Sequence, residues 1–204
     1  MASCTVCKEF GLGFRRTYRP AEFIEGNREA RIWIIGLNPA QDIDWRDVRR
    51  VKDLEAYFDD ESEVHPYFRD FKTVSPRLYN LLGKPRGAAH TDLVKCASRT
   101  FPPADVSTFQ ARTIVSNCSK HLEAQLAAGN PKLVICNGSG VSQEIKRLLP
   151  PSVDTPPEAT HYVHCANGRE VAVVLSGFIG RIDNFAKRRL GRDIEALMNA
   201  LEIA

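Results

Sequence analysis

The sequence contains no apolar run of membrane-spanning length. Its strongest hydrophobic stretches, residues 32–37, 133–136 and 171–175, have the size and β-branching of buried strands. A cytoplasmic, soluble protein with no membrane partner is therefore expected. Charge of one sign is also lacking, since 28 Lys and Arg against 25 Asp and Glu leave a formal net charge of +3, too mild to prove an anionic partner. There is no internal repeat or low-complexity tract, which argues against solenoids and tails. At 204 residues, 43% of them hydrophobic, the chain suits one well-packed domain and is short for two. No signal-like segment precedes the first cysteines, so thiols rather than disulfides are expected.

Cysteines are what the chain does have. Cys4 and Cys7 form a Cys-x-x-Cys pair, and Cys96 and Cys118 bracket a loop in mid-chain. Four thiolates so arranged read as one metal site that staples an N-terminal arm, residues 1–29, to the domain centre, and their spacing suits iron–sulfur and zinc equally. Cys136 and Cys165 sit in apolar strands and read as small buried hydrophobes. Basic residues gather at Arg46, Arg49, Arg50 and Lys52, at Lys84 and Arg86, and at Arg181, Lys187, Arg188, Arg189 and Arg192, where a phosphate backbone would suit them.

Strands and helices alternate as expected of an α/β fold with a mostly parallel sheet covered on both faces, a three-layer α/β/α arrangement. Strands are expected at 30–36, 91–94, 132–137, 161–164 and 171–175. Helices are expected at 47–58, 66–83, 108–128, 141–149 and 182–201, with Gly129-Asn130-Pro131 as a stop signal. Ligands of such sheets bind outside the carboxyl ends of the strands. That singles out four turns, at residues 36–40, 90–93, 137–140 and 176–181, and no protein partner is evident.

The first, second and fourth of those turns together carry a resemblance. Gly36-Leu37-Asn38-Pro39-Ala40 resembles the first active-site motif of the uracil-DNA glycosylase superfamily, with Asn where mismatch-specific uracil/thymine glycosylases have it. Thr91-Asp92-Leu93-Val94-Lys95-Cys96 is similar to the Thr-Asn-Val-Val-Lys-Cys segment of the family-four enzymes, whose Cys ligates a [4Fe–4S] cluster. Residues 131–138 are similar to the strand and glycine turn beyond the last cluster cysteine. The resemblance spans nearly the whole chain in order. It implies a [4Fe–4S] cluster, in preference to zinc, on Cys4, Cys7, Cys96 and Cys118.

Hydrolysis of a glycosidic bond needs a placed water and stabilisation of the departing base. The resemblance gives the water to the side-chain carbonyl of Asn38, with Asp44 as the second catalytic candidate, a carboxylate that can activate it; Asp42 lies in the same loop. A flipped base must be stacked on a ring and read along its edge. Phe68 or Phe71 is the expected stacking ring, Leu37 borders the base, and Asp92 stands where the family has an Asn that pairs with uracil. An ionised Asp only accepts hydrogen bonds, so it repels O4 of uracil and receives the amino group of a cytosine-type base. The family's His-Pro-Ser type motif is missing, the corresponding strand ending Val174-Leu175-Ser176-Gly177-Phe178. His90, His161 or His164 can substitute for its histidine only where the fold brings one near. Arg99, Ser176, Gly177, Phe178 and Arg181 are expected against the DNA, with Phe178, Ile179 or Arg181 as a wedge in the vacated stack.

The expected protein is thus a monofunctional DNA glycosylase that flips an amino-bearing modified base, such as an enlarged cytosine of phage DNA, and serves antiviral defence. Repair of uracil, hypoxanthine or xanthine is the first alternative. A non-catalytic iron–sulfur DNA-binding module is the second.

Overall fold

The structure, a computed structural model, describes residues 4–14, 18–40, 51–62 and 64–203. Five strands form one sheet in the order β2-β1-β3-β5-β4, namely β1 (Ile32–Gly36), β2 (Ala88–Asp92), β3 (Leu133–Cys136), β4 (His161–Ala166) and β5 (Arg169–Val174). β1 pairs in parallel with β2 and β3, and β3 with β5, while β4 is an antiparallel edge strand. This is the mostly parallel sheet that the alternating pattern predicts.

Both faces of the sheet are covered, which is why the central strands read as continuous apolar runs. Alternate residues of β1 go to opposite cores: Trp33 and Ile35 to one, Ile32 and Ile34 to the other. The first core is closed by α4 (Thr108–Gly129) and α5 (Ser139–Leu148). The second is closed by α1 (Val51–Asp59), α2 (Pro66–Val74), α3 (Pro76–Asn80) and α6 (Asn184–Ala200). Ser107 and Gln110 cap the start of α4 reciprocally, and Asn130, in the left-handed region at φ 51°, ends it. Among the described residues no helix is long and apolar enough to cross a membrane.

Three departures from expectation have a plain local cause. The second strand lies at Ala88–Asp92 rather than 91–94, because Leu93 N–H and Val94 N–H turn to donate to Gly36 O and Leu37 O, both at 2.8 Å. The stretch 66–83 is two helices, not one. Ser75 is extended, and its Oγ accepts from Leu78 N–H to start α3 at Pro76. The last helix starts at Asn184 because the Asp183 side chain accepts from Ala186 N–H at 2.8 Å.

Candidate active site at the strand ends

The order β2-β1-β3 means that the chain leaves β1 toward one side for β2 and later returns to the other side for β3, so a crevice opens beyond their carboxyl ends. Asn38, Asp92 and Asn137 follow or end these three strands. Asn38 is held firmly: its Nδ2 donates to Ser98 O (2.8 Å) and Pro39 O (2.9 Å), which orients the amide and leaves Oδ1 with no donor among the described residues. Pro39 O also accepts from Ser98 N–H at 2.9 Å, so the loop after Cys96 and the turn after β1 are laced together.

Strand alternation decides what faces what along β2. His90 and Asp92 point to the α2 side, and Thr91 points to the α4 side. His90 Nε2 lies 3.8 Å from Asp92 Oδ1, and both side chains are buried. Gly36 sits directly beneath them, where an added Cβ would collide with Asp92 Oδ1 and come within 3.0 Å of His90 Nε2 and 3.2 Å of the Tyr67 hydroxyl. Only glycine lets the end of β1 pass under these groups.

A directional chain of hydrogen bonds runs through this point. Asn137 Oδ1 accepts from Ile179 N–H (2.8 Å), which leaves Asn137 Nδ2 to donate to the Tyr67 oxygen (2.9 Å). The Tyr67 O–H is then directed to His90 Nε2 at 3.0 Å, and a histidine accepting there carries its proton on Nδ1, which donates to Glu25 Oε2 at 2.7 Å. Glu25, His90 and Asn137 are buried and Tyr67 is half-buried, so the chain begins on a buried carboxylate and ends on a partly accessible phenol. The Phe178 ring is stacked on Tyr67, 6.3 Å between centroids and 24° between planes.

Of the residues expected from sequence, Asn38, Asp92 and Phe178 come to this end of the sheet. Phe68 and Phe71, the expected stacking rings, are 1% and 0% exposed and lie in the second core, Phe68 packing edge-on to His90 at 5.3 Å and Phe71 edge-on to Tyr67 at 5.8 Å. Their helical spacing on α2 points them into the second core, and the ring left at the crevice is Tyr67. Leu37 is half-buried and packs against the first core. Ser176 turns its hydroxyl to Cys136 O (2.6 Å) and Gly177 O (2.8 Å), so its proton is engaged within the strand end. Gly177, Arg181 and Arg99 are exposed. Asp44, with Asp42, Arg46, Arg49 and Arg50, lies outside the described residues.

Among the three histidines, His90 is the one beside Asp92. His161 and His164 lie on the edge strand β4, where His164 Nδ1 meets Pro150 O. Glu25 and Tyr67 were missed by sequence reasoning, and Asn137 was seen only as part of a turn. A strand-end Asn before a glycine was the one local signal.

The four cysteines gather in the first core, Cys7, Cys96 and Cys118 buried and Cys4 at its edge. Burial holds the Cys7 thiol above its ordinary value and pushes the Cys118 thiol up to about 11. The Cys118 sulfur takes a hydrogen bond from the Lys95 backbone, and Asn117 Nδ2 donates to Cys7 Sγ at 3.7 Å. Cys4 and Cys7 each act electrostatically on Cys118, so these thiols share one neighbourhood. Among the described residues no three His, Cys, Asp or Glu side chains are grouped to hold a metal ion. The donor chemistry and the N–H groups suit a thiolate-held centre, while the thiols themselves are drawn together without closing on a common point. The remaining two cysteines part ways: Cys136 is buried, its thiol pushed up to about 12 by burial, whereas Cys165 is exposed on β4, contrary to its apolar surroundings in sequence.

A family model described as "Uracil DNA glycosylase superfamily" matches residues 23–183. The chain belongs to that superfamily. The match opens on the segment that carries Glu25, takes in every strand-end turn described above, and closes at the cap of α6. As a member of the uracil DNA glycosylase superfamily the protein is placed among DNA glycosylases, enzymes that bind DNA. Cys96 and Cys118 fall within the matched residues and Cys4 and Cys7 before them. No curated protein matches the chain.

Proposed function

We propose that the protein is a monofunctional DNA glycosylase that flips a modified, amino-bearing cytosine out of DNA and excises it, leaving an abasic site, in defence against viruses with hypermodified genomes. The observation that carries the reading is Asp92: a buried carboxylate at the end of β2, on the same face as His90 and directly above Gly36. An acceptor there suits an exocyclic amine and opposes the O4 of uracil. Unmodified cytosine is excluded as substrate because its removal would destroy the host genome, so the pocket must require the added substituent.

In the reaction the bond between the sugar C1′ and the base nitrogen breaks, its electron pair leaving on the base, while a water oxygen bonds to C1′ and the proton that water loses passes through solvent to the departing base, which leaves neutral. Asn38, its amide fixed by Ser98, offers Oδ1 to that water. The hydrogen-bond chain behind Tyr67 supplies what the missing motif histidine would have done. There the Tyr67 O–H swings from His90 Nε2 to the departing base and donates a hydrogen bond to it, while Glu25 holds the imidazole and Asn137 holds the phenol oxygen in place.

Cys4, Cys7, Cys96 and Cys118 would hold a [4Fe–4S] cluster in this reading. Its role is to fix the arm and residues 97–106, and through Ser98 the Asn38 amide. Anaerobically purified protein should be brown and carry about four irons per chain. A colourless preparation with one zinc per chain overturns the cluster assignment and keeps the staple.

The substrate assignment is tested by comparing single-turnover excision of a modified cytosine and of uracil by the wild type and by Asp92→Asn. The substitution should shift preference toward uracil by roughly five- to a hundredfold, the worth of one good polar pair of 1–3 kcal/mol. A wild type that prefers uracil, or a preference unmoved by the substitution, makes repair of deaminated bases the better account.

A further inference from the structure

The basic cluster near the C-terminus is only partly explained by the site. Lys187 is turned inward, its Nζ 2.7 Å from Asp70 Oδ1, and ties α6 to α2. The others face outward, together with an aromatic ring that the fold leaves in water. Phe185 is 73% exposed, and the Arg188 guanidinium carbon stands 5.7 Å from its ring centroid.

These residues line a groove of about 850 Å³ between the two helices, with Phe185, Arg188, Arg189 and Arg192 on one wall and Lys72 and Pro76 on the other. Its floor is backbone. α6 lies so close to α2 at Gly191 that an added Cβ would run into Val74 O. One carboxylate lines the groove among the described residues, Glu195, and it accepts from Ser75 Oγ at 2.7 Å. Lys72 is paired with Glu61. Three arginines therefore outweigh the acid, and the charge calls for an anion.

The groove shares its two helices with the strand-end site. α2 begins at Tyr67's end of the crevice, and α6 follows the loop whose Phe178 stacks on Tyr67. From the start of α6 to Arg192 a helix advances about 12 Å, the span of a few nucleotides of extended single strand.

We propose that this groove binds an unpaired stretch of the DNA strand flanking the excised nucleotide, one base stacking on Phe185 while Arg189 and Arg192 take the phosphates. The inference rests on the reading of the protein as an enzyme acting on DNA, and names the form of DNA it prefers. An exposed ring backed by a guanidinium stacks on any base, whereas a duplex keeps its base faces covered. Cationic side chains alone would serve a duplex equally; the ring is what selects the open strand.

The test uses a labelled oligonucleotide of ordinary bases, free and as a duplex, titrated by anisotropy at several salt concentrations. Ordinary bases make the result independent of excision, so a failure of the glycosylase reading shows as absent base release with the binding intact. Phe185→Ala should weaken single-strand binding roughly five- to a hundredfold, as loss of one stacked base does, and leave duplex binding unchanged. The double variant Arg189→Gln, Arg192→Gln should lower the single-strand salt slope by about 1.4, as loss of two phosphate contacts does. All these side chains are exposed, so the variants should fold. Unchanged single-strand affinity in Phe185→Ala overturns the proposal, and so does an equal loss on duplex, which would make the groove a backbone clamp.

Discussion

His90 and Thr91 are neighbours in β2, 3% and 0% exposed, and their polar atoms are engaged in different ways on the two faces of the strand. On the α4 face Thr91 Oγ1 donates to Phe23 O (2.7 Å) and accepts from Lys95 Nζ (2.8 Å). Lys95, whose ammonium burial pulls down to about 7, also donates to Gln125 Oε1 at 2.5 Å and to Asp92 O. Gln125 Nε2 returns to Phe23 O at 2.7 Å. That network closes on itself and on main-chain carbonyls. On the α2 face the chain from Glu25 through His90 opens onto Tyr67, a half-buried phenol at the crevice. Equal burial thus accompanies opposite uses: a closed polar network fixes the strand and the arm that carries Phe23, while an open one keeps a proton within reach of a ligand.

Three substitutions test that contrast. The largest effect is expected at Asn38→Ala, which removes the water's acceptor at the crevice and should slow base release about 10³-fold with DNA affinity largely kept. Equal loss of rate and affinity would mark Asn38 as a turn residue. Tyr67→Phe opens the α2-face chain at its accessible end and should slow single-turnover excision about 10²-fold. An unaltered rate would place the donor to the base elsewhere. The smallest catalytic effect belongs to Thr91→Val, which removes the hydroxyl that joins Lys95 to Phe23 O. It should cost about 1–3 kcal/mol in denaturant unfolding and leave the excision rate within about twofold, that cost being structural. A rate loss as large as that of Tyr67→Phe would erase the distinction between the two faces.

Legibility in the sequence followed the range of the causes. β1, β3 and β5 announce themselves as short apolar runs because a doubly covered parallel sheet makes them so, and α4 carries both its capping box and its stop. β2 was placed late because Ala88 and Ala89 have no strand signal of their own; pairing with Ile32 and Trp33 makes them strand. The places of Asn38 and Asp92 at the carboxyl ends of β1 and β2 were legible through motif order. Phe68 and Phe71 are buried in the second core, and their spacing, with Leu78 beyond, matches a core stripe. Tyr67 and Glu25 depend on closures of 23 and 65 residues to His90, which no local pattern encodes.

Glu25 also pairs with His90 through the main chain, Glu25 N–H donating to His90 O at 2.7 Å and His90 N–H to Glu25 O at 2.8 Å. β2 is the outer strand on its side of the sheet, and bare outer strands recruit other chains into aggregates. The segment that orients the histidine therefore also masks this edge. Displacing it would leave the His90 N–H and C=O unpaired on that edge at the same moment as it disconnects the hydrogen-bond chain, so damage to the arm should surface as self-association together with lost activity.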